Sequence, residues 1–316
     1  MSDTHEEIGV HQDVQFTSEG TTVRGHLYLP EGDGPFPIVV MAGGWCYVKE
    51  LVQPTYATAF VARGCAALVF DYRNFGDSDG TPRQHLDPWR QIEDYKNAIS
   101  YAETLDVVDA SRIGVWGISY SGGHALVVGA TDPRVKAIVS TIPVVDGWQT
   151  MERVHGALGF RRLREVVLAD RRSRFATGEY GTVPMSSKDP AAEVCVWPFP
   201  EVTSGFEGLK ATDAPNHEHW NTAQSVELLW DYTVFPYVRR ILDTPTMMIV
   251  AENDDITSWD LEIAAFHGIL TTKKELFVMN DASHMVLYTD KSHLELAADR
   301  GARFFGEHLR AEGVQA

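Results

Sequence analysis

The sequence predicts an α/β protein: a mostly parallel sheet with helices on both faces and an inserted, mainly helical cap. Three observations carry this. Continuous apolar runs, each suited to a buried strand, alternate with helix-like stretches from Pro37 to Ile142 and again from Thr244 to Leu309. A turn of small residues, Gly117-Ile118-Ser119-Tyr120-Ser121-Gly122-Gly123, joins one such strand to one such helix. Between Val144 and Arg240 the alternation stops, and four of the eight tryptophans (Trp148, Trp197, Trp220 and Trp230) lie there. The expected organisation is a core of residues 1–143 and 241–316 with a cap of residues 144–240.

The elements follow in order. Val14 to Leu29 alternates apolar and polar around Gly20-Thr21-Thr22, an antiparallel hairpin. Pro37 to Met41 is a buried strand that ends in Ala42-Gly43-Gly44-Trp45. A short helix over Thr55 to Ala62 and a strand over Ala66 to Phe70 come next. Asp87-Pro88 opens a helix, with Asp as N-cap and Pro at the first position. Ile92, Tyr95, Ile99 and Ala102 share one of its faces. Strands at Arg112 to Trp116 and Val135 to Ile142 flank the helix after Ser119. Inside the insertion, Met151 to Arg172 reads as helix, Gly178 to Lys210 is rich in Gly, Pro, Ser and Thr, and Trp220 to Tyr237 is aromatic and partly helical. The core resumes with a strand at Thr244 to Val250, a helix at Leu261 to Leu270, a strand at Glu275 to Met279 and a helix at Ser292 to Leu309.

Composition narrows the function. With 27 basic and 44 acidic residues among 316, the formal charge is 27 − 44 = −17. That argues against nucleic-acid and anionic-membrane partners. No apolar run approaches the ~18 residues of a membrane span. The start, Met1 to Glu7, has neither the basic nor the apolar region of a signal peptide. Cys46, Cys65 and Cys195 are too few and too scattered for a disulfide framework or a zinc site. A cytoplasmic protein with free thiols is expected. His217-Glu218-His219 has no third ligand at a metal-binding spacing and reads as a loop. Arg161-Arg162-Leu163-Arg164 and Arg171-Arg172 read as a solvated helix face. No metal or cofactor is called for.

The turn at Ser119 carries the chemistry. A serine hydroxyl needs a base beside it and donors for the oxyanion it creates. At a sharp strand-to-helix turn it projects above the sheet, and the next N–H, that of Tyr120, points to the same place. Gly117 fills the first small position of the motif; Ser121 stands where a glycine is usual. Two further groups lie at strand ends. Glu252-Asn253-Asp254-Asp255 follows one strand and Asp281-Ala282-Ser283-His284 follows the last. The order nucleophile, acid, histidine is that of one triad-bearing fold and not of the two other common ones. His284 is the candidate base. The acid is open among Asp254, Asp255 and Glu252; Asp254 is the choice, and Asp255 is the alternative helix cap. Trp45 N–H, in the loop after the third strand, is the second oxyanion donor. Gly44 and Cys46 are expected to border the substrate, as are Trp148 and Met151 at the start of the insertion.

These residues resemble a known group. Gly43 to Glu50, Asp71-Tyr72-Arg73-Asn74-Phe75-Gly76-Asp77-Ser78-Asp79-Gly80-Thr81-Pro82-Arg83-Gln84, the Ser119 turn and Thr244 to Asp254 are similar to α/β-hydrolases of the dienelactone-hydrolase and polyketide-transferase type, relatives of the X-Pro dipeptidyl peptidase and cocaine esterase group. The likeness covers most of the chain outside the insertion. Gly43-Gly44 departs from the His-Gly common in that group, and Ser119 stands where dienelactone hydrolases proper carry cysteine. The resemblance implies ester, thioester or lactone chemistry, and a structural turn at Asp71 to Gly80 with Arg73 paired to a carboxylate. The expected enzyme cleaves an ester or lactone of a fairly large apolar small molecule through an acyl-Ser119 intermediate, with a homodimer left open. Acyl transfer or thioester hydrolysis is the nearest alternative. A peptidase cutting after an X-Pro pair would need a site for the substrate's free amine, for which the sequence offers no clear acidic candidate, and the intact set of nucleophile, acid and base argues against a binding protein on the same fold.

Overall fold

The structure is a computed structural model, and residues 10–310 are described. Met1 to Glu7, read for a leader, lie outside the described residues. Ten strands and ten helices are present among those residues. Strands β1 (His11–Ser18) and β2 (Thr21–Tyr28) form the hairpin, with Ser18 opposite Thr21. The turn is therefore Glu19-Gly20, one residue earlier than expected. Both residues have positive φ (47° and 85°), as a two-residue hairpin turn matched to the strand twist requires.

Strand β3 (Phe36–Ala42) leads to helix α1 (Gln53–Val61), and β4 (Ala66–Phe70) follows. Helix α2 (Pro88–Ala102) starts as its sequence dictates. Asp87 Oδ1 accepts from the N–H groups of Trp89 and Arg90, and Pro88 occupies the first turn. Then come β5 (Val108–Ile118), α3 (Tyr120–Thr131) and β6 (Val135–Thr141). The core closes with β9 (Thr246–Ala251), α8 (Trp259–Gly268), β10 (Lys274–Met279), α9 (Val286–Thr289) and α10 (Lys291–His308).

Eight strands make one sheet in the order β1-β2-β4-β3-β5-β6-β9-β10. Only the pairs β1–β2 and β2–β4 are antiparallel; the rest run parallel. The parallel strands β3, β4, β6 and β9 are buried along nearly their whole length, because helices cover both faces, while β10 at the sheet edge buries only Met279. The carboxyl ends of β3, β5 and β9 thus open on one rim of the sheet, where ligands bind in such folds.

Between β6 and β9 the chain forms α4 (Gly147–Thr177), β7 (Thr182–Pro184), α5 (Pro200–Thr212), β8 (Trp220–Thr222), α6 (Ala223–Trp230) and α7 (Phe235–Val238). Helix α4 breaks at Gly156, whose φ of 60° and ψ of 175° are not helical. The segment leaves and returns at one place. Gly147 N–H donates to Tyr232 O (2.9 Å), Val234 N–H to Val145 O (2.9 Å), and Asp146 bridges Thr233.

The Asp71 to Gly80 stretch is a buried ionic turn. Arg73 donates to Asp94 Oδ1 from Nε (2.9 Å) and Nη2 (2.7 Å), and to Glu19 from Nη1 (2.9 Å). Asp71 accepts from Lys49 N–H, Lys49 Nζ and Asp77 N–H. Burial pushes the Asp71 carboxyl up to about 6 against the pull of Lys49. This cluster follows the carboxyl end of β4, and none of its residues borders the cavity shared by Ser119 and His284.

Candidate active site

Ser119 sits between β5 and α3 with φ 58° and ψ −121°. A non-glycine residue held there is strained, and such strain persists only where its surroundings over-determine it. The surroundings do so. Ser119 N–H donates to Thr141 O (2.9 Å), and its carbonyl accepts from Gly122 (2.9 Å) and Val144 (3.0 Å). A side chain at Gly117 would collide with the Ser121 carbonyl. Ser121, the departure from the motif, has its own work. Its hydroxyl accepts from Ile118 N–H (2.9 Å) and donates to Ala42 O (2.6 Å), tying the turn to the end of β3. Tyr95 Oη adds a second tie, accepting from Ala42 N–H (3.0 Å) and donating to Trp116 O (2.6 Å).

Asp254 and His284 meet from the ends of β9 and β10. His284 Nδ1 lies 2.7 Å from Asp254 Oδ2, and both side chains are buried. The other Asp254 oxygen accepts from the N–H groups of Ile256 (3.0 Å) and Thr257 (2.8 Å), which fixes the carboxylate plane. Asp255 does not reach the imidazole and caps no helix; α8 begins after Ser258 without a side-chain cap. Sequence reasoning gave Asp255 a capping role, but Asp254 itself takes up the adjacent N–H groups. Glu262 is fully buried nearby. Its Oε1 accepts from Thr257 Oγ1 (2.8 Å), and burial beside Asp254 raises its carboxyl well above the usual range.

Ser119 and His284 line one cavity, with no hydrogen bond between them. Catalytic contacts of this kind often tighten only with substrate present. The cavity measures about 20 Å³ and is otherwise bounded by Trp45, Tyr47, Met185, Trp197, Val202, Phe206, Ile256, Met285 and Tyr288. Two N–H groups are available beside it. Tyr120 occupies the first helical position, whose N–H has no intrahelical partner. Trp45 N–H makes no backbone hydrogen bond among the described residues. Gly44 allows the approach of this loop, since a Cβ there would lie 3.0 Å from Ser119 Cβ.

Three expected neighbours are elsewhere. Cys46 has positive φ (57°) and turns its thiol away, toward Trp220 O at 3.4 Å. Burial raises that thiol well above its ordinary range. Trp148 is 40% exposed and packs edge-on against Phe160 and Trp230, because the first turn of α4 faces α6. Met151 is buried but does not border the cavity. The insertion instead contributes Met185, Trp197, Val202 and Phe206, from the stretch rich in Gly, Pro, Ser and Thr. The signal present was the apolar spacing Val202, Phe206 after Pro200 on α5.

His217 and His219 are not a free loop. His217 Nδ1 donates to Cys46 O (3.1 Å), its Nε2 accepts from His219 Nδ1 (3.1 Å), and His219 Nε2 accepts from Ser186 Oγ (2.6 Å). The carbonyl end assigns the tautomers. Burial lowers the His217 imidazole to about 3. Trp45 Nε1 also donates to Asn221 Oδ1 (3.0 Å), so the insertion grips the loop that carries the Trp45 N–H. Arg171 and Arg174 pair with Glu227, and the 161–164 arginines lie on the outer side of α4. Among the described residues, His11, Asp13 and His26 on the hairpin are a separate trio able to face a common ion. No described helix is long and apolar enough to cross a membrane.

Comparison with known proteins gives the family and the fold. The quorum-quenching protein AidA of Acinetobacter baumannii (strain MDR-ZJ06) is 36% identical over 207 residues, covering 65% of this chain and 67% of its own. The thiohydrolase aneE of Aspergillus aculeatus is 30% identical over 296 residues, covering 90% and 86%. An acyltransferase is also among the relatives. Of solved structures, the α/β hydrolase GrgF of Penicillium sp. sh18 matches with a TM-score of 0.79 at 24% identity, over 95% of this chain and 99% of that one. At that identity the likeness bears on fold alone. The X-Pro dipeptidyl-peptidase (S15 family) pattern matches residues 19–285. The protein is a hydrolase-type enzyme with the α/β-hydrolase fold, and the chain belongs to the X-Pro dipeptidyl-peptidase (S15) family.

Proposed function

We propose that this enzyme cleaves a carboxylic ester or lactone through an acyl-Ser119 intermediate, with residues 144–240 as a cap over the site. The observation that carries the reading is the strained Ser119 in one cavity with His284, whose other nitrogen is held at 2.7 Å by Asp254. Ser119 Oγ attacks the acyl carbon while His284 Nε2 takes the hydroxyl proton. The Tyr120 and Trp45 N–H groups receive the oxyanion. The proton passes from His284 to the leaving oxygen, the acyl–oxygen bond breaks, and a water activated by the same nitrogen then releases the acid. Asp254 keeps the imidazole oriented and stabilises its charged form. The apolar cavity walls suit an apolar substrate.

Peptide cleavage after an X-Pro pair is less well supported. A free substrate amine needs a countercharge, and among the described residues no carboxylate borders the cavity. Transfer of the acyl group to an alcohol or amine, or hydrolysis of a thioester, uses the same residues. The names of the thiohydrolase and acyltransferase relatives favour it as the second reading. Serine-directed phosphonate labelling is the test, together with Ser119→Ala. Labelling at Ser119 and a loss of roughly 10³-fold or more in kcat on ester substrates are expected. Retained activity in Ser119→Ala, or labelling at Cys46 alone, would overturn the reading. Competing nucleophiles in a product assay separate hydrolysis from transfer.

A further inference from the structure

A cavity of about 20 Å³ holds about one water, so no ester of any size fits beside Ser119 until a wall moves. The walls are held in different ways. Trp45 is pinned through Nε1 to Asn221. Met185 and Trp197 are fixed by backbone hydrogen bonds, Met185 N–H to His219 O (3.0 Å) and Trp197 N–H to Met185 O (2.8 Å). Tyr288 is held at its backbone too, N–H to Met285 O (3.0 Å), but among the described residues its hydroxyl makes no hydrogen bond. It touches Tyr47, Phe206 and His284 through its ring alone, at centroid distances of 5.9, 5.9 and 5.6 Å. Met285 beside it is an unbranched, adaptable side chain.

Behind that soft wall lies a groove of about 1310 Å³, between α5 on one side and α1 and α10 on the other. Tyr288 borders both spaces. Helix α5 turns Val202 and Phe206 to the cavity and Ser204, Gly205 and Gly208 to the groove. The 285–289 turn does the same with Met285 inward and Thr289 outward. One layer of side chains therefore separates the groove from Ser119. Apolar groups such as Leu209 and Leu294 line it together with hydroxyls such as Thr55 and Thr212 and charged groups such as Glu50, Arg63 and Glu295. The groove lies on the His284 side, where Tyr288 stacks on the imidazole at 29°. In acyl transfer the leaving group departs toward the histidine that protonates it.

We propose that this groove binds the leaving-group arm of the substrate, an extended amphiphilic alcohol or thiol, and that Tyr288 and Met285 move aside to admit it. The inference rests on the acyl-Ser119 reading. Gly208→Phe tests it. Gly208 is exposed, no heavy atom lies within 4 Å of a Cβ placed there, and a helix loses nothing by replacing glycine. Two ester series serve as probes, one with a fixed short acyl group and leaving alcohols of increasing chain length, the other with a fixed short alcohol and acyl groups of increasing length. Expected for Gly208→Phe is a drop in kcat/KM of about tenfold for the longest leaving alcohols with less than about twofold change for the short ester. Tyr288→Ala should narrow the gap between long and short leaving alcohols. If Gly208→Phe penalises long acyl groups instead, or treats every substrate alike, the assignment of the groove is overturned. Phosphonate labelling of Ser119 in the same variant reports on the acyl-serine reading separately, because a small phosphonate does not need the groove.

Discussion

The core and the insertion build opposite walls of one cavity by different means. The core supplies groups at strand ends, each fixed by backbone hydrogen bonds: Ser119 by Thr141 and Val144, Asp254 by Ile256 and Thr257. The insertion supplies side chains, Met185, Trp197, Val202 and Phe206, that enclose without offering a reactive atom. The candidate reactive groups come from the core alone, whereas enclosure is shared, the core adding Trp45, Tyr47, Ile256, Met285 and Tyr288. They touch at the Trp45–Cys46 loop, which belongs to the core and is gripped by Asn221 and His217 of the insertion.

The largest test of this division lies in the core. Asp254→Asn should cost on the order of 10²–10⁴ in kcat by leaving the imidazole in the wrong tautomer. Asp255→Asn, which removes no contact to His284, should change kcat by less than about threefold. Steady-state kinetics on both variants check this, and the reverse ranking would move the acid's role to Asp255.

The junction gives the next effect. Asn221→Ala leaves the buried Trp45 Nε1–H without a partner, which should cost about 1–3 kcal/mol of stability in urea unfolding. Because Trp45 carries a proposed oxyanion donor, kcat should fall severalfold with KM little changed. Lost stability with kcat intact would make the insertion a roof and nothing more.

The smallest effect concerns two buried histidines, one from each region. His124 accepts from Tyr232 Oη (2.9 Å) and donates to Gln91 Oε1 (3.1 Å); burial lowers it, like His217, to about 3. Below the ordinary value near 6.5 the unfolded chain takes up protons that the folded protein refuses. Stability should therefore fall as pH drops from about 6.5 toward 3, by at most about 1.4 kcal/mol per pH unit for each histidine. Asp71, raised to about 6, opposes this: its share of stability grows as pH falls through that value. Urea unfolding across pH 4–7 should give a slope shallower by about one proton in His124→Gln. An unchanged slope would show that His124 contributes nothing to the acid sensitivity.

Much of the core was legible because local rules agree with the tertiary arrangement there. Asp87-Pro88 is both a sequence signal and an N-cap, and apolar runs such as Pro37 to Met41 are both pattern and buried strand. Ser119, Asp254 and His284 were visible because strand ends are visible, and the structure brings the last two into contact and the first into one cavity with His284. The insertion obeyed no such period. Trp148 looked well placed by its nearness in sequence to β6, but which face of α4 it occupies depends on α6, some seventy residues on. The grip of Asn221 on Trp45 spans 176 positions and leaves no local trace.

The paired ends of the insertion have an evolutionary consequence. Asp146 and Thr233 stand side by side, and Gly147 is required there because a side chain would strike the Leu229 carbonyl. A segment hung from so narrow a stem can lengthen or shorten between its ends, provided that Asn221 and His217 still hold the Trp45–Cys46 loop after β3. Recombination that cuts at the stem is the inexpensive route to a new specificity, and grafting another relative's segment between Val145 and Val234 is its laboratory equivalent.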